Sequence, residues 1–312
     1  MAFIERINSK GIEGITAEPV RIDKEVQGEK SGYAVIVDRI SQDVPFYRTY
    51  LKNAAVTGTA VINNPFWWSA DDKYFNNCLM TRIGVPVPKT VILPSYELPT
   101  DTSNESFANL AYPLDWEGMF NYVGFPAYMK PFAGGGWKNV YRIEDTEDLF
   151  QKHKETGQLV MLLQEEIVFD EYYRCYCIGG KHVRIMPYEP RNAHHLRYQA
   201  GFAPTEAMRK RIEKDCITIC ETLGYEFNTV EFAVQDGIPY AIDFTNPAPD
   251  AERTSVGEEN FEWVVQTSAE YLIGLAVGNT NGKDATKNGR STKAKASPKD
   301  SPKELWRELL LA

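Results

Sequence analysis

At 312 residues, 43% hydrophobic and 25% charged, the chain is long enough for two or three packed lobes and has the composition of a folded protein rather than a disordered one. A formal net charge of −9 leaves no basic field for a phosphodiester backbone, which argues against a nucleic-acid partner and makes any phosphate site local. The longest apolar runs, such as Val160 to Leu163, fall far short of the ~20 residues that cross a bilayer, and Met1 to Arg6 shows no secretory signal, so a cytoplasmic protein without a membrane partner is expected.

Residues 1–30 show no clear period and read as an irregular or hairpin-like lead-in. Tyr33 to Asp38 is a β-rich run, Val44 to Ala55 has helical spacing, and Thr59 to Ile62 is a second β run, together a β-α-β unit. Asn63-Asn64-Pro65 interrupts it. A helix start at Ser69 and Asp72 then carries Lys73 in its first turn and runs to Gly84. After Val85-Pro86-Val87-Pro88, Thr90 to Leu93 reads as a strand and Pro94 to Asn109 as a polar insertion. Trp116 to Val123 reads as a helix closed by Gly124. Ala127 to Lys130 and Asn139 to Arg142 read as strands flanking Gly134-Gly135-Gly136, a strand-loop-strand hairpin that lacks the G-K-[ST] of a Walker loop.

Leu159 to Leu163, Arg174 to Ile178 and His182 to Met186 read as antiparallel strands, the last two joined at Gly179-Gly180. Met208, Ile212, Cys216, Ile219 and Leu223 form the clearest helical stripe, opened by Pro204 and closed by Gly224. Asn228 to Val234 and Pro239 to Phe244 read as a hairpin turning at Gln235-Asp236-Gly237. A last helix spans about Glu259 to Val277, and the Lys-, Ser- and Gly-rich stretch Asn279 to Lys303 reads as a flexible tail before a short segment, Glu304 to Leu311. The cysteines, Cys78, Cys175, Cys177, Cys216 and Cys220, contain no C-x-x-C pair and fit reduced buried thiols better than a disulfide or zinc framework.

In this order, Lys130 at a strand end, the glycine loop, the hinge Gln164-Glu165-Glu166-Ile167, a helix, and two strands bearing Glu231 and Asp243 resemble the ATP-grasp superfamily over roughly Tyr33 to Asp250. Val61-Ile62-Asn63-Asn64-Pro65, Asp72-Lys73 and Gly84 to Pro88 look most like its glutathione synthetase and ribosomal-protein glutamate ligase branch. The fold class that this resemblance implies is α/β (α+β): an N-terminal α/β lobe (1–92), a central lid subdomain with the glycine loop (93–165), a C-terminal antiparallel-sheet subdomain with a metal site (166–278), and a flexible tail with a short terminal helix (279–312).

ATP brings several negative charges into a cleft, which calls for fixed cations, main-chain donors and acid ligands for Mg²⁺. A lone lysine is most often a solvated charge, but the neighbouring glycines set Lys130 apart. By resemblance Lys73 and Lys130 reach the phosphates, each charge-assisted contact contributing ~1.5–3 kcal/mol. Gly134, Gly135 and Gly136 let the backbone approach phosphate, with Trp137 and Lys138 closing the flap, although glycine clusters also make ordinary turns. The hinge Gln164, Glu165, Glu166 and Ile167 resembles the segment that meets adenine through main-chain groups. Tyr172 stands where the family's ribose acid precedes the arginine, here Arg174, leaving Asp170 or Glu171 to substitute. Direct register likewise puts Tyr188 where an arginine is usual, with Arg184 and Arg191 nearby.

Glu231 and Asp243, on strands joined by a tight turn, share one face, and together with Asn246 resemble the family's Mg²⁺ site. The family commonly reads acid, one residue, asparagine, whereas this chain reads Asp243-Phe244-Thr245-Asn246. Either Thr245 takes the asparagine position or, as we favour, a bulge returns Asn246. The catalytic cations implied are Lys130, Arg174 and Arg191. Arg191, His194, His195 and Arg197 form a cluster suited to an acid substrate, while Arg39, Tyr47, Arg48 and the Trp67-Trp68 pair are candidates for the second. These features point to a carboxylate–amine ligase that uses ATP and Mg²⁺ on small molecules. A small-molecule kinase and a non-catalytic nucleotide-binding module are the alternatives, and the oligomeric state stays open, a homodimer being one option because dimers are common among relatives.

Overall fold

Side-chain caps and glycines punctuate the chain. The structure is a computed structural model that describes residues 1–66, 72–135, 137–198 and 201–287, the side chains of 194 and 280–287 excepted. In chain order, α1 (Ala2–Ser9) is followed by β1 (Val35–Val37), α2 (Pro45–Val56), β2 (Ala60–Ile62), α3 (Lys73–Ile83), β3 (Thr90–Leu93) and α4 (Trp116–Val123). Next come β4 (Ala127–Pro131), β5 (Tyr141–Ile143), α5 (Thr146–Glu155), β6 (Met161–Glu165), β7 (Glu171–Ile178) and β8 (His182–Pro187). The chain closes with α6 (Glu206–Leu223), β9 (Phe227–Gln235), β10 (Ile238–Asp243), α7 (Arg253–Val256) and α8 (Glu258–Lys287). Asp72, Asp115, Asp145 and Thr205 each accept a main-chain N–H at a helix start, offsetting donors that the helix itself cannot satisfy. Gly84 and Gly224 end α3 and α6 at φ 79° and 71°, a conformation that a Cβ disfavours.

The chain divides into two compact units. The first comprises Met1–Trp68, Tyr172–Glu231 and Asp243–Ala312. Its β1 and β2 pair in parallel around α2, the expected β-α-β, and bury Ile36, Tyr50, Leu51, Ala54 and Val61 together. Residues 10–30 form no helix or strand, as expected of an irregular lead-in, but α1 departs from it, because Phe3 and Ile7 share the face that packs into a core with Phe227, Val264 and Leu272. Arg6 fixes that helix to α8 through Glu262 at 2.6 Å and Gln266 at 2.9 Å. The α8 helix itself extends to Lys287, so the first part of the segment assigned to a flexible tail is helical.

The second unit comprises Ser69–Glu171 and Phe232–Ile242. Its four-stranded antiparallel sheet runs β3-β6-β4-β5 and buries Leu93, Ala127, Met129, Ile143, Met161 and Leu163 with Val123 of α4 and Leu149 of α5. The expected strand at Asn139 starts later, at Tyr141, because Trp137 and Asn139 take positive φ values of 61° and 57° and prolong the turn. The polar insertion is tied to this unit: Pro94 O is bonded by the His153 ring at 2.9 Å, and the Glu97 N–H donates to Gly157 O at 2.9 Å.

A second four-stranded sheet has the order β10-β9-β7-β8. The division between the units passes through β9 and β10. The β9–β10 turn places Asp236 and Gly237 at φ 52° and 75°, the left-handed pair of a two-residue hairpin turn. Among the described residues, no helix is long and apolar enough to cross a membrane.

Candidate functional site

The second unit holds the candidate phosphate and adenine contacts. Lys130 lies on β4 opposite Leu162 of β6, and β6 runs into the hinge. Lys73 opens α3; its main-chain N–H donates to Phe132 O at 3.0 Å and its ammonium to the Gly134 carbonyl. The structure thus joins Lys73 to the glycine loop, two features 61 residues apart in sequence. Gly134 has φ 90°, where an L-residue would be strained, and Gly135, Trp137 and Lys138 are exposed. Gly136, Trp67 and Trp68 lie outside the described residues.

The hinge is braced by side chains and open along its main chain. Gln164 is buried and donates to Thr90 Oγ1 at 3.0 Å, while Glu165 accepts the Lys89 N–H at 3.1 Å. Glu166 takes a bidentate contact from Arg142 at 2.8 and 2.9 Å, and that hydrogen bonding holds its carboxyl below the usual range. The main-chain groups of Glu166 and Ile167 make no hydrogen bond among the described residues, whereas the next N–H, on Val168, is held by Gln235 at 2.7 Å. Ile167 is buried, so this stretch combines apolar cover with unused main-chain donors and acceptors, a combination suited to an adenine edge. Of the two candidate ribose acids, Asp170 is exposed, with its N–H held by Val234 O at 3.1 Å, and Glu171 begins β7.

The acids gather in the first unit. Alternation along β7 sets Tyr172 and Arg174 on one face, and both reach Glu231 on neighbouring β9. The Tyr172 hydroxyl donates to Glu231 Oε2 at 2.7 Å, and Arg174 Nε lies 3.4 Å from Oε1. Arg174 also donates to Tyr198 at 2.8 Å and to Thr229 at 3.4 Å, and its guanidinium lies 5.6 Å from the Tyr188 ring centroid. Burial raises the Glu231 pKa, Arg174 works against that, and Asp243 adds to it. Burial disfavours the Arg174 cation too, but Tyr198 and Glu231 outweigh it and its pKa is raised. With side-chain exposures of 19% for Glu231 and 12% for Arg174, the acid stays accessible to a small ion.

Asp243 is exposed and is the last residue of β10, so regular alternation does not carry on to Thr245. The turn that follows is tied by Asn228, whose amide nitrogen donates to Phe244 O and whose oxygen accepts the Asn246 N–H, both at 2.8 Å. Glu231 and Asp243, with Asn246 at this turn, offer hard oxygen donors in a partly open setting, which fits Mg²⁺ better than a softer ion.

Other candidates are engaged elsewhere. Arg191 closes on Glu189 at 2.7 and 2.6 Å, and Arg184 on Glu259 at 2.6 Å and Asn260 at 2.9 Å. Arg197 donates to Asn192 O at 3.0 Å and to the Tyr188 hydroxyl at 3.3 Å. Arg39 donates to Pro249 O at 2.8 Å, Arg48 to Ser41 O and Gln42 O, and Tyr47 is exposed. Sequence reasoning missed the tyrosine shell around Arg174, for which the only signal is the Tyr172, Tyr188, Tyr198 series itself. All five cysteines are free thiols, and Cys78 is exposed rather than buried. The Cys177, Cys216 and Cys220 sulfurs lie buried within 4.8 Å of one another, where hydrogen bonds from Cys177 and Cys216 lower the Cys220 pKa while those two thiols are themselves raised.

No protein-family model and no curated protein sequence matches the chain. Solved structures do resemble it. A D-alanine–D-alanine ligase from Bacillus anthracis complexed with ATP aligns over 82% of this chain and 81% of its own, with TM-score 0.56 and 15% identity. A RimK domain protein ATP-grasp from Sphaerobacter thermophilus aligns over 86% and 93%, with TM-score 0.58 and 16% identity. The ATP-grasp ligase PsnB, complexed with minimal precursor, Mg and ADP, aligns over 88% and 93%, with TM-score 0.55 and 16% identity.

Proposed function

From a chain with the ATP-grasp fold, we infer an ATP- and Mg²⁺-dependent ligase that joins a carboxylate to an amine or similar nucleophile through an acyl phosphate. The observation that carries this reading is the Glu231–Arg174 pair with Asp243 close enough to raise the Glu231 pKa, an acid pair beside a fixed cation. The substrates are small molecules, an amino acid or small peptide among them, and the setting is cytoplasmic.

The residues divide the work by chemistry. Lys73, Lys130 and the main chain at Gly134, Gly135 and Gly136 bind phosphate oxygens, with Trp137 covering them from water. Glu166 and Ile167 take the adenine edge by main-chain groups, Gln164 and Glu165 hold that hinge in place, and Asp170 or Glu171 meets the ribose. Glu231, Asp243 and Asn246 hold Mg²⁺, which when bound supplies charge neutralisation at the phosphates. A substrate carboxylate oxygen attacks the γ-phosphorus and ADP departs; the amine then attacks the acyl carbon, phosphate departs, and the amine's proton passes to solvent. Lys130 and Arg174 offset the negative charge that builds in both steps. Arg191 binds the acid substrate by exchanging Glu189 for the substrate's carboxylate.

A second reading, a nucleotide-binding module without turnover, is favoured by Tyr172, which stands at the ribose-acid position and is committed to Glu231. Product analysis separates the readings. The ligase releases ADP and phosphate in equal amounts only when an acid and a nucleophile are both supplied, and screening amino acids as the acid is the direct search. Label retained in a stable phosphorylated product would indicate a kinase, and nucleotide binding without release of ADP under any pairing would indicate the module.

A further inference from the structure

Tyr172 stands where the resemblance puts an acid, and its surroundings explain how a tyrosine serves there. Its ring is buried, with the centroid 5.9 Å from that of Tyr188. Its hydroxyl spends its one donor on Glu231 Oε2 at 2.7 Å. The other oxygen of Glu231 faces Arg174 Nε at 3.4 Å, so the carboxylate is held at both ends by side chains two residues apart on one strand. A carboxylate offers about four lone-pair directions, and one hydrogen-bond donor with a guanidinium in ion-pair contact leaves most of them for a cation. An acid at position 172 would set a third carboxyl near Glu231 and Asp243, whereas a phenol supplies a proton instead of a charge.

We propose that Tyr172 is a positioning residue for the metal site: its hydroxyl fixes the Glu231 carboxylate in the orientation that receives the divalent cation. The inference rests on the metal site of the ligase reading and adds to it a partner outside the ligand set. Such outer partners orient ligands, and their loss typically costs ~10–100-fold in metal affinity. Tyr172→Phe removes the donor and keeps the ring.

The test is Mn²⁺ binding to the full chain in the presence of ADP, followed by electron paramagnetic resonance, together with ADP affinity in EDTA and the melting temperature. Tyr176→Phe is the control, because it removes another buried hydroxyl from the same strand, one without a hydrogen-bond partner among the described residues. The expected result is a Mn²⁺ dissociation constant raised about tenfold or more in Tyr172→Phe, with metal-free ADP affinity within about twofold of wild type and Tyr176→Phe unchanged. Unaltered Mn²⁺ affinity in Tyr172→Phe, an equal loss of metal-free ADP affinity, or the same loss in Tyr176→Phe would overturn the inference while leaving the nucleotide site standing. Wild-type protein that binds ADP but no Mn²⁺ would remove the metal site itself and the inference with it.

Discussion

Asn63 anchors the frame on which Glu231 stands, and its removal has a calculable cost. The side chain is 1% exposed and makes four hydrogen bonds, all to main chain. Its amide nitrogen donates to Phe227 O at 2.8 Å and Pro247 O at 3.3 Å; its oxygen accepts from Glu226 N at 2.8 Å and Phe227 N at 2.7 Å. It thereby ties the start of β9 to the segment beyond β10. Asn63→Ala leaves two buried N–H groups and two carbonyls to find other partners. A neutral hydrogen bond contributes about 1 kcal/mol net and a stranded buried group costs about 1–3 kcal/mol, so with partial rescue by water the loss should total about 3–5 kcal/mol. At this chain length that lowers the melting temperature by about 5–8 °C. Asn63→Asp keeps the acceptor but turns an oxygen toward two carbonyls, and should cost a comparable amount. Urea and thermal denaturation of wild type and both variants measure it. A loss below about 1 kcal/mol, or about 1.5 °C, for Asn63→Ala would refute the reasoning.

Lys130→Ala should leave the fold intact and weaken nucleotide binding ~10–150-fold, the factor for ~1.5–3 kcal/mol, in a calorimetric titration. Glu231→Gln and Asp243→Asn should abolish turnover, and Asn246→Ala should raise the Mg²⁺ requirement while Thr245→Ala changes it little; Mg²⁺-dependent turnover of the four compares them, and exchanged phenotypes at 245 and 246 would name Thr245 as the ligand. Burial holds His153 below its ordinary value of about 6.5, only partly offset by its bond to Pro94, so the folded state resists protonation that the unfolded chain accepts. The sign follows: as pH falls below about 6.5, wild type should lose stability that His153→Gln retains, visible as converging unfolding midpoints between about pH 7 and 5.

What was legible in the sequence is what rests on local chemistry. Gly84, Gly224 and the Asp236-Gly237 turn mark boundaries because few residues accept their backbone angles, and Ile212, Cys216, Ile219 and Leu223 mark α6 because burial follows its period. The order of Lys130, the glycine loop, the hinge and the two acids gave the fold class, in agreement with the solved structures. Partners set by long-range contacts were not legible. The α1 helix is short and is held by α8, hundreds of residues away, so its own spacing is a weak signal. Nothing in the sequence pairs Thr90 with Gln164, Lys73 with Gly134, or Arg191 with Glu189 in preference to a substrate. The Tyr172–Glu231 bond was hidden for the same reason, since it depends on which strands are neighbours and only then on residue type.

The most direct test of the central claim, a metal-dependent nucleotide site built on Glu231 and Asp243, is a calorimetric titration of ADP with and without Mg²⁺ into wild type and Glu231→Gln. Mg²⁺ should tighten ADP binding to wild type, and that gain should vanish in Glu231→Gln while binding without Mg²⁺ stays the same. Wild type that binds no ADP, or a gain from Mg²⁺ that survives in Glu231→Gln, would contradict it.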